Sequence, residues 1–187
     1  LSTASEGTKR IRTIVEDLRT FSRLDETHQE EVDMVGIIQS TIHLVKTQYH
    51  DIAITLPSAS RVMIKCFPAK LGQVFMNILV NACQAIETII TKDSERKGHI
   101  EISIEQQDSS IVITFTDNGC GMETTSKDKV FEPFYTTKDV GSGTGLGMAI
   151  SYGIIEEHGG TIKINSKMNE GTQVMVTLPI SRSCVEN

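Results

Sequence analysis

Gly141-Ser142-Gly143-Thr144-Gly145-Leu146-Gly147 sets four glycines at alternating positions directly before an apolar run, Met148 to Ile155. A backbone without Cβ atoms at every other position can come very close to a partner. Where a helix begins just beyond it, unpaired N–H groups at the positive end of the helix dipole suit an anion, most often phosphate. The spacing is not that of a Walker loop, because no Lys-Ser or Lys-Thr pair follows a Gly-x-x-x-x-Gly pattern. Nor is it a dinucleotide fingerprint, since no Gly falls three residues after Gly143 or Gly145. Alone, such a loop serves as a hinge as readily as a phosphate cradle.

Three other groups could do chemistry. Asn77 and Asn81 stand four apart in an otherwise apolar helical run, so both amides share a face. Asn is a poor residue inside a helix, and two aligned amides cost stability unless they are satisfied or simply face water. Asp117-Asn118-Gly119-Cys120-Gly121-Met122 ends an alternating run. That is an ordinary turn, or a carboxylate placed to accept from an amine with glycines that let a ring approach. Phe131 to Tyr135 is an aromatic cluster ending in Thr136-Thr137-Lys138, which reads as a lid or as plain loop anchors.

The elements that must position these groups follow from periodicity. Ile11, Ile14, Val15, Leu18, Phe21 and Leu24 recur at helical spacing among charges, predicting an amphipathic helix over 4–24 with a stripe close to a heptad seam. A second helix is expected over 35–49, and a long, richly apolar one over 70–90 with Pro68 at its first turn. Short strands over 52–56 and 61–67, split by Pro57 and Ser58, read as a hairpin. Further alternating runs, 99–106 with 110–116 and 161–166 with 172–178, read as antiparallel hairpins. The helix after Gly147 stops at Gly159-Gly160.

Composition bounds the rest. At 187 residues and 39% hydrophobic content the chain can hold one substantial domain and an appendage. A net charge of -6 argues against general nucleic-acid binding. Cys66, Cys83, Cys120 and Cys184 form no C-x-x-C pair, which suits a reducing cytoplasm with inert thiols. The apolar stretches read as too short for a membrane span, and no signal peptide is evident. The sequence opens in helical pattern without Met, so a longer parent is expected.

The order of asparagine-bearing helix, Asp-x-Gly-x-Gly turn, aromatic cluster, glycine loop, helix and hairpin resembles the ATP-binding catalytic domain of sensor histidine kinases of two-component systems. The motifs that carry the resemblance are Gln73 to Ala82, Asp117 to Gly121, Phe131 to Lys138 and Gly141 to Gly147. It implies the α+β class: a two-layer α/β sandwich, the Bergerat ATP-binding fold, preceded by an amphipathic dimerisation-type helix. Residues 1–31 would be the second helix of a dimerisation and phosphotransfer hairpin, and 32–187 the catalytic domain.

The resemblance also implies roles. Asp117 would accept from the adenine amino group, with Gly119, Gly121, Met122 and Thr172 around the base. Asn81 would be the one protein ligand of Mg²⁺, with Asn77 supporting it from a turn earlier. Lys138, Gly143, Thr144, Gly145, Leu146 and Gly147 would hold the phosphates, with Phe134 and Thr137 in the lid. Asn77 and Lys138 would be the catalytic pair, and ATP and Mg²⁺ the cofactors. Related ATPases such as gyrase carry at the place of Asn77 a Glu that activates water. An Asn there disfavours hydrolysis and favours transfer to a protein acceptor.

The expected activity is therefore ATP-dependent histidine kinase, passing phosphate to a His and then to a response-regulator Asp. None of His28, His43, His50, His99 and His158 carries the acceptor's acidic neighbour and downstream Pro. Expected partners are ATP and ADP, a second copy through the dimerisation hairpin and a receiver domain. The expected place is the cytoplasm, or the cytoplasmic part of a membrane-bound sensor. The alternatives are an anti-sigma-type Ser/Thr protein kinase, or a nucleotide-binding regulatory or phosphatase module. Two departures stand out: Phe67 where the family has Asp, and Gln84 where it often has Lys. Thr136 to Lys138 and Ser151 to Gly153 resemble the nitrogen-regulation type.

Overall fold

The computed structural model describes residues 28–57, 61–91, 93, 95–127, 129–138 and 143–180. The helix expected over 4–24 lies outside them, as do Gly141, Ser142 and Cys184. The described elements are β1 (Glu30–Asp33), α1 (Met34–Gln48), β2 (Ala53–Thr55), β3 (Met63–Cys66) and α2 (Pro68–Ile90). Then follow β4 (His99–Gln106), β5 (Ser110–Asp117), α3 (Thr124–Lys127), α4 (Gly147–Glu157), β6 (Thr161–Lys167) and β7 (Gly171–Pro179).

Five strands form one mixed sheet in the order β2-β4-β5-β7-β6. Every pairing in it is antiparallel except that of β2 with β4. α1, α2 and α4 cover one face, giving the two-layer sandwich that the motif order implied. α2 forms because Leu71, Val74, Phe75, Ile78, Leu79, Ala82, Cys83 and Ile86 recur every three or four residues. All are buried, and the Phe75 ring lies 5.6 Å from that of Phe115 on β5. By length and composition alone this helix could cross a membrane, but that apolar face packs in the sandwich core.

The expected hairpin of 52–56 with 61–67 is corrected. β2 joins the main sheet beside β4, whereas β3 pairs antiparallel with β1 in a separate two-stranded sheet. The alternation of both segments was legible, but two strands split by a turn can take different partners, and here each does. β1 was not anticipated: Glu30-Glu31-Val32-Asp33 is too short and acidic to read as a strand. Its last residue, Asp33, caps α1 and accepts from the N–H of Val35 at 3.1 Å and that of Val62 at 3.2 Å.

A cluster at the far end of the helical layer joins α2 to α4. The ammonium of Lys70 is buried against Glu157 at 2.6 Å and lies 4.5 Å from the Phe67 ring centroid. His158 accepts from the N–H of Phe67 at 3.1 Å and stacks edge-on to its ring. Phe67 therefore contributes packing. Cys66 and Cys83 are buried, and burial pushes their thiols up to about 11 and about 12. Both are inert at neutral pH.

Candidate functional site

At one end of the site the period of a strand sets the chemistry. Ile111, Ile113, Phe115 and Asp117 alternate along β5, so the last carries a carboxylate to the rim of the apolar row. Thr172 stands opposite it on β7, in phase with Val174, Val176 and Leu178. Asp117 is 7% exposed, and its Oδ1 accepts from the N–H of Gly119 at 2.8 Å. Burial pushes the carboxyl up to about 6, with the N–H groups of Gly119 and Thr172 holding it back. A carboxylate buried with backbone donors alone favours one more donor.

The turn after Asp117 requires its glycines. Gly121 has φ +67, and a Cβ there would lie 2.0 Å from the carbonyl oxygen of Lys167. A Cβ on Gly119 would meet Ala85 of α2 at 2.7 Å. Ser166 completes this end: its hydroxyl accepts from the N–H of Met122 at 2.8 Å and donates to Gly171 O at 3.0 Å. It also lies 2.9 Å from the Thr172 hydroxyl. The sequence reading missed Ser166. The signal was available, because a Ser in phase with Ile162 and Ile164 on β6 must face the core side and needs partners.

At the other end α2 presents three amides, Asn77, Asn81 and Gln84, at the half-buried border of its apolar face. Asn77 Nδ2 donates to Gly147 O at 2.9 Å and to the Ser151 hydroxyl at 3.2 Å. This ties the first turn of α4 to α2, so the structure brings Asn77 to the helix after the glycine turn. Lys138 Nζ donates to Asn81 Oδ1 at 2.9 Å and also to Gln84 Oε1. Burial holds the Lys138 pKa below its ordinary value, with Cys120 acting the other way.

The glycine turn and the preceding segment are stitched together. Phe134 and Gly145 both adopt left-handed backbone, φ 67 and +68. The Phe134 N–H donates to Gly145 O at 3.0 Å, and a Cβ on Gly145 would lie 2.4 Å from the Phe134 carbonyl carbon. Positive φ at an aromatic residue is uncommon and strained. The Phe134 side chain is 72% exposed, and Thr137 is exposed beside Lys138. Tyr135 donates to the Ser126 hydroxyl at 3.0 Å. Gly143, Thr144 and Leu146 are half-buried, and a Cβ on Gly143 would lie 3.1 Å from Thr136 Oγ1.

Two hollows border this region. One, about 670 Å³, is lined by Asp117, Met122, Ser166 and Thr172 together with Thr116 and Gln173. The other, about 780 Å³, runs between α1 and α2 with Asn77 at its edge. Neither reaches Asn81 or Lys138. The amide oxygen of Asn81 is a neutral, hard donor of the kind Mg²⁺ takes, and in this structure it accepts from Lys138 Nζ. The residues present therefore fit one neutral protein ligand for Mg²⁺.

A five-stranded sheet with helices on one face, a rim carboxylate and a glycine turn opening a helix form a two-layer α/β sandwich with a site suited to a nucleotide. Residues 67–182 match the model of the histidine kinase-, DNA gyrase B- and HSP90-like ATPase family, to which this chain belongs. Within that family its relatives are sensor histidine kinases, and this is the catalytic ATPase domain of that class.

Sporulation kinase E of Bacillus subtilis (strain 168) is 34% identical over 187 residues, covering 95% of this chain and 23% of that protein. The signal transduction histidine-protein kinase AtoS of Escherichia coli (strain K12) is 34% identical over 182 residues, covering 91% and 27%. The chain thus spans about a quarter of the length of these relatives. The Mycobacterial sensor histidine kinase MprB has the same fold, with a TM-score of 0.69 at 24% identity over 81% of this chain and 97% of that one.

Proposed function

We propose that this domain binds Mg-ATP and transfers its γ-phosphoryl group to a histidine on a segment outside this sequence, for relay to a response-regulator Asp. Asp117 accepts from the adenine amino group, and Gly119, Gly121, Met122 and Thr172 enclose the base. Gly143 to Gly147 present backbone N–H groups and Lys138 its ammonium to the phosphates. Mg²⁺ held by Asn81 would offset phosphate charge as the γ-group leaves. Phosphoryl transfer asks a protein mainly for positioning and charge neutralisation, which amides, glycines and one Lys supply.

One observation carries the choice of transfer over hydrolysis. A water-activating base would stand one turn before Asn81, and Asn77 there cannot take a proton. Its Nδ2 is already committed to Gly147 and Ser151. In the full protein the domain works in the cytoplasm, alone or as the cytoplasmic part of a membrane-bound sensor, and pairs with a second copy through a dimerisation hairpin of which residues 1–31 supply the second helix. The test is to join the chain to its upstream segment and add γ-labelled ATP. Acid-labile, base-stable phosphate on a His of that segment is expected. No label under saturating Mg-ATP contradicts the proposal.

A further inference from the structure

Gln84 has no part in the proposed function, yet it accepts from the Lys138 ammonium. It stands three residues after Asn81 on α2, so the two side chains leave the same face of the helix. Lys138 reaches them from the opposite wall, at the end of the segment that is stitched to the glycine turn through Phe134. An ammonium has donors only, so both amides must turn their oxygens toward it. Among the described residues no carboxylate pairs with Lys138; its partners are neutral. Two amide oxygens solvate a cation without neutralising it. Such a berth holds the ammonium loosely enough for an anion to draw it away.

We propose that Gln84 is a positioning residue: with Asn81 it parks the Lys138 ammonium on α2 in the nucleotide-free protein. The parked ammonium then sits on the same Asn81 oxygen that the proposed function gives to Mg²⁺. Two cations on one neutral oxygen repel each other, so arrival of the metal with its nucleotide moves Lys138 off Asn81 toward the phosphates. Gln84 thereby decides where Lys138 waits, and through Lys138 it sets the resting place of the segment that ends there. This step rests on the proposed site roles, but the parking itself does not.

The test reads the amine directly. Brief acylation of the nucleotide-free protein with an N-hydroxysuccinimide ester, followed by peptide mass analysis, compares labelling at Lys138 with that at the exposed Lys129 and Lys163. Gln84→Met removes the acceptor while keeping length. It should raise Lys138 labelling roughly tenfold relative to the two controls, the worth of one hydrogen bond to a charged group. Gln84→Glu restores an oxygen and should restore protection. Lys138 labelling that is unchanged in Gln84→Met, or that rises only in step with Lys129 and Lys163, overturns the proposal. So does labelling that stays high in Gln84→Glu. A wild-type chain that is protected at Lys138 yet binds no Mg-ATP would instead overturn the proposed function.

Discussion

Asp117 is fixed by strand register, whereas Lys138 is fixed by two side-chain amides. The carboxylate sits in the last buried position of β5, paired with Thr172 of β7 and closed in by a turn in which a Cβ at Gly121 would collide with the neighbouring backbone. Nothing there can shift without unpairing strands. Lys138 instead meets α2 through two hydrogen bonds from one ammonium. The end that the proposed function gives to the base is therefore held by the fold itself, and the end it gives to the phosphates is held by groups that can exchange partners. The proposed function, which asks the site to discriminate one base and pass on a phosphoryl group, calls for that division.

The largest effect should come from damaging the rigid end. Gly121→Ala puts a Cβ 2.0 Å from the Lys167 carbonyl oxygen at φ +67, and should lower unfolding free energy by roughly 3 kcal/mol in urea titration. Asp117→Asn exchanges an acceptor for a mixed amide, and should weaken ATP roughly 100-fold by calorimetry. The same change separates binding from stability. The Asp117 carboxyl is raised to about 6 in the fold from 3.8, so the unfolded chain ionises first as pH rises. Stability attributable to this group is complete below pH 4 and is lost between pH 4 and 6, on the order of 3 kcal/mol. Asp117→Asn should flatten that fall in urea titrations at pH 4 and 6.

Smaller effects belong to the adaptable end. Asn81→Ala should reduce Mg-ATP affinity roughly tenfold while leaving metal-free ATP within about twofold, because the metal loses its ligand whereas the Lys138 ammonium it also releases stays free to meet the phosphates. Equal losses for both would assign Asn81 to the nucleotide itself. The smallest effect is on wild-type ATP affinity as pH falls through about 6, where Asp117 gains a proton and stops accepting. A decline of less than about tenfold per pH unit is expected, with a plateau above pH 7.

The same division explains what the sequence could tell. β4, β5, β6, β7 and α2 were legible because each carries a sustained period of two or 3.6, whereas Thr172 entered only through the family resemblance. β1 was not, since four residues with two Glu carry no period, and the partners of β2 and β3 were misjudged because alternation says nothing about which strand a strand joins. The amides of Asn77 and Asn81 were visible as misplaced polar groups in an apolar helix. Their hydrogen bonds to Gly147 and Lys138 were not, because they span 70 and 57 residues and depend on how α4 and the loop before it fold back. Ser166 was legible from its phase on β6 and was overlooked, whereas the contact of Gln84 with Lys138 depends on a segment that arrives from 54 residues away.

Calorimetric binding of ATP and GTP to this chain, each with and without Mg²⁺, tests the central claim most directly. A rim carboxylate that accepts from the adenine amino group repels the carbonyl that guanine carries in its place. ATP should bind well ahead of GTP, and Mg²⁺ should strengthen ATP. Equal affinity for the two bases, or no response to Mg²⁺, would contradict the roles given to Asp117 and Asn81.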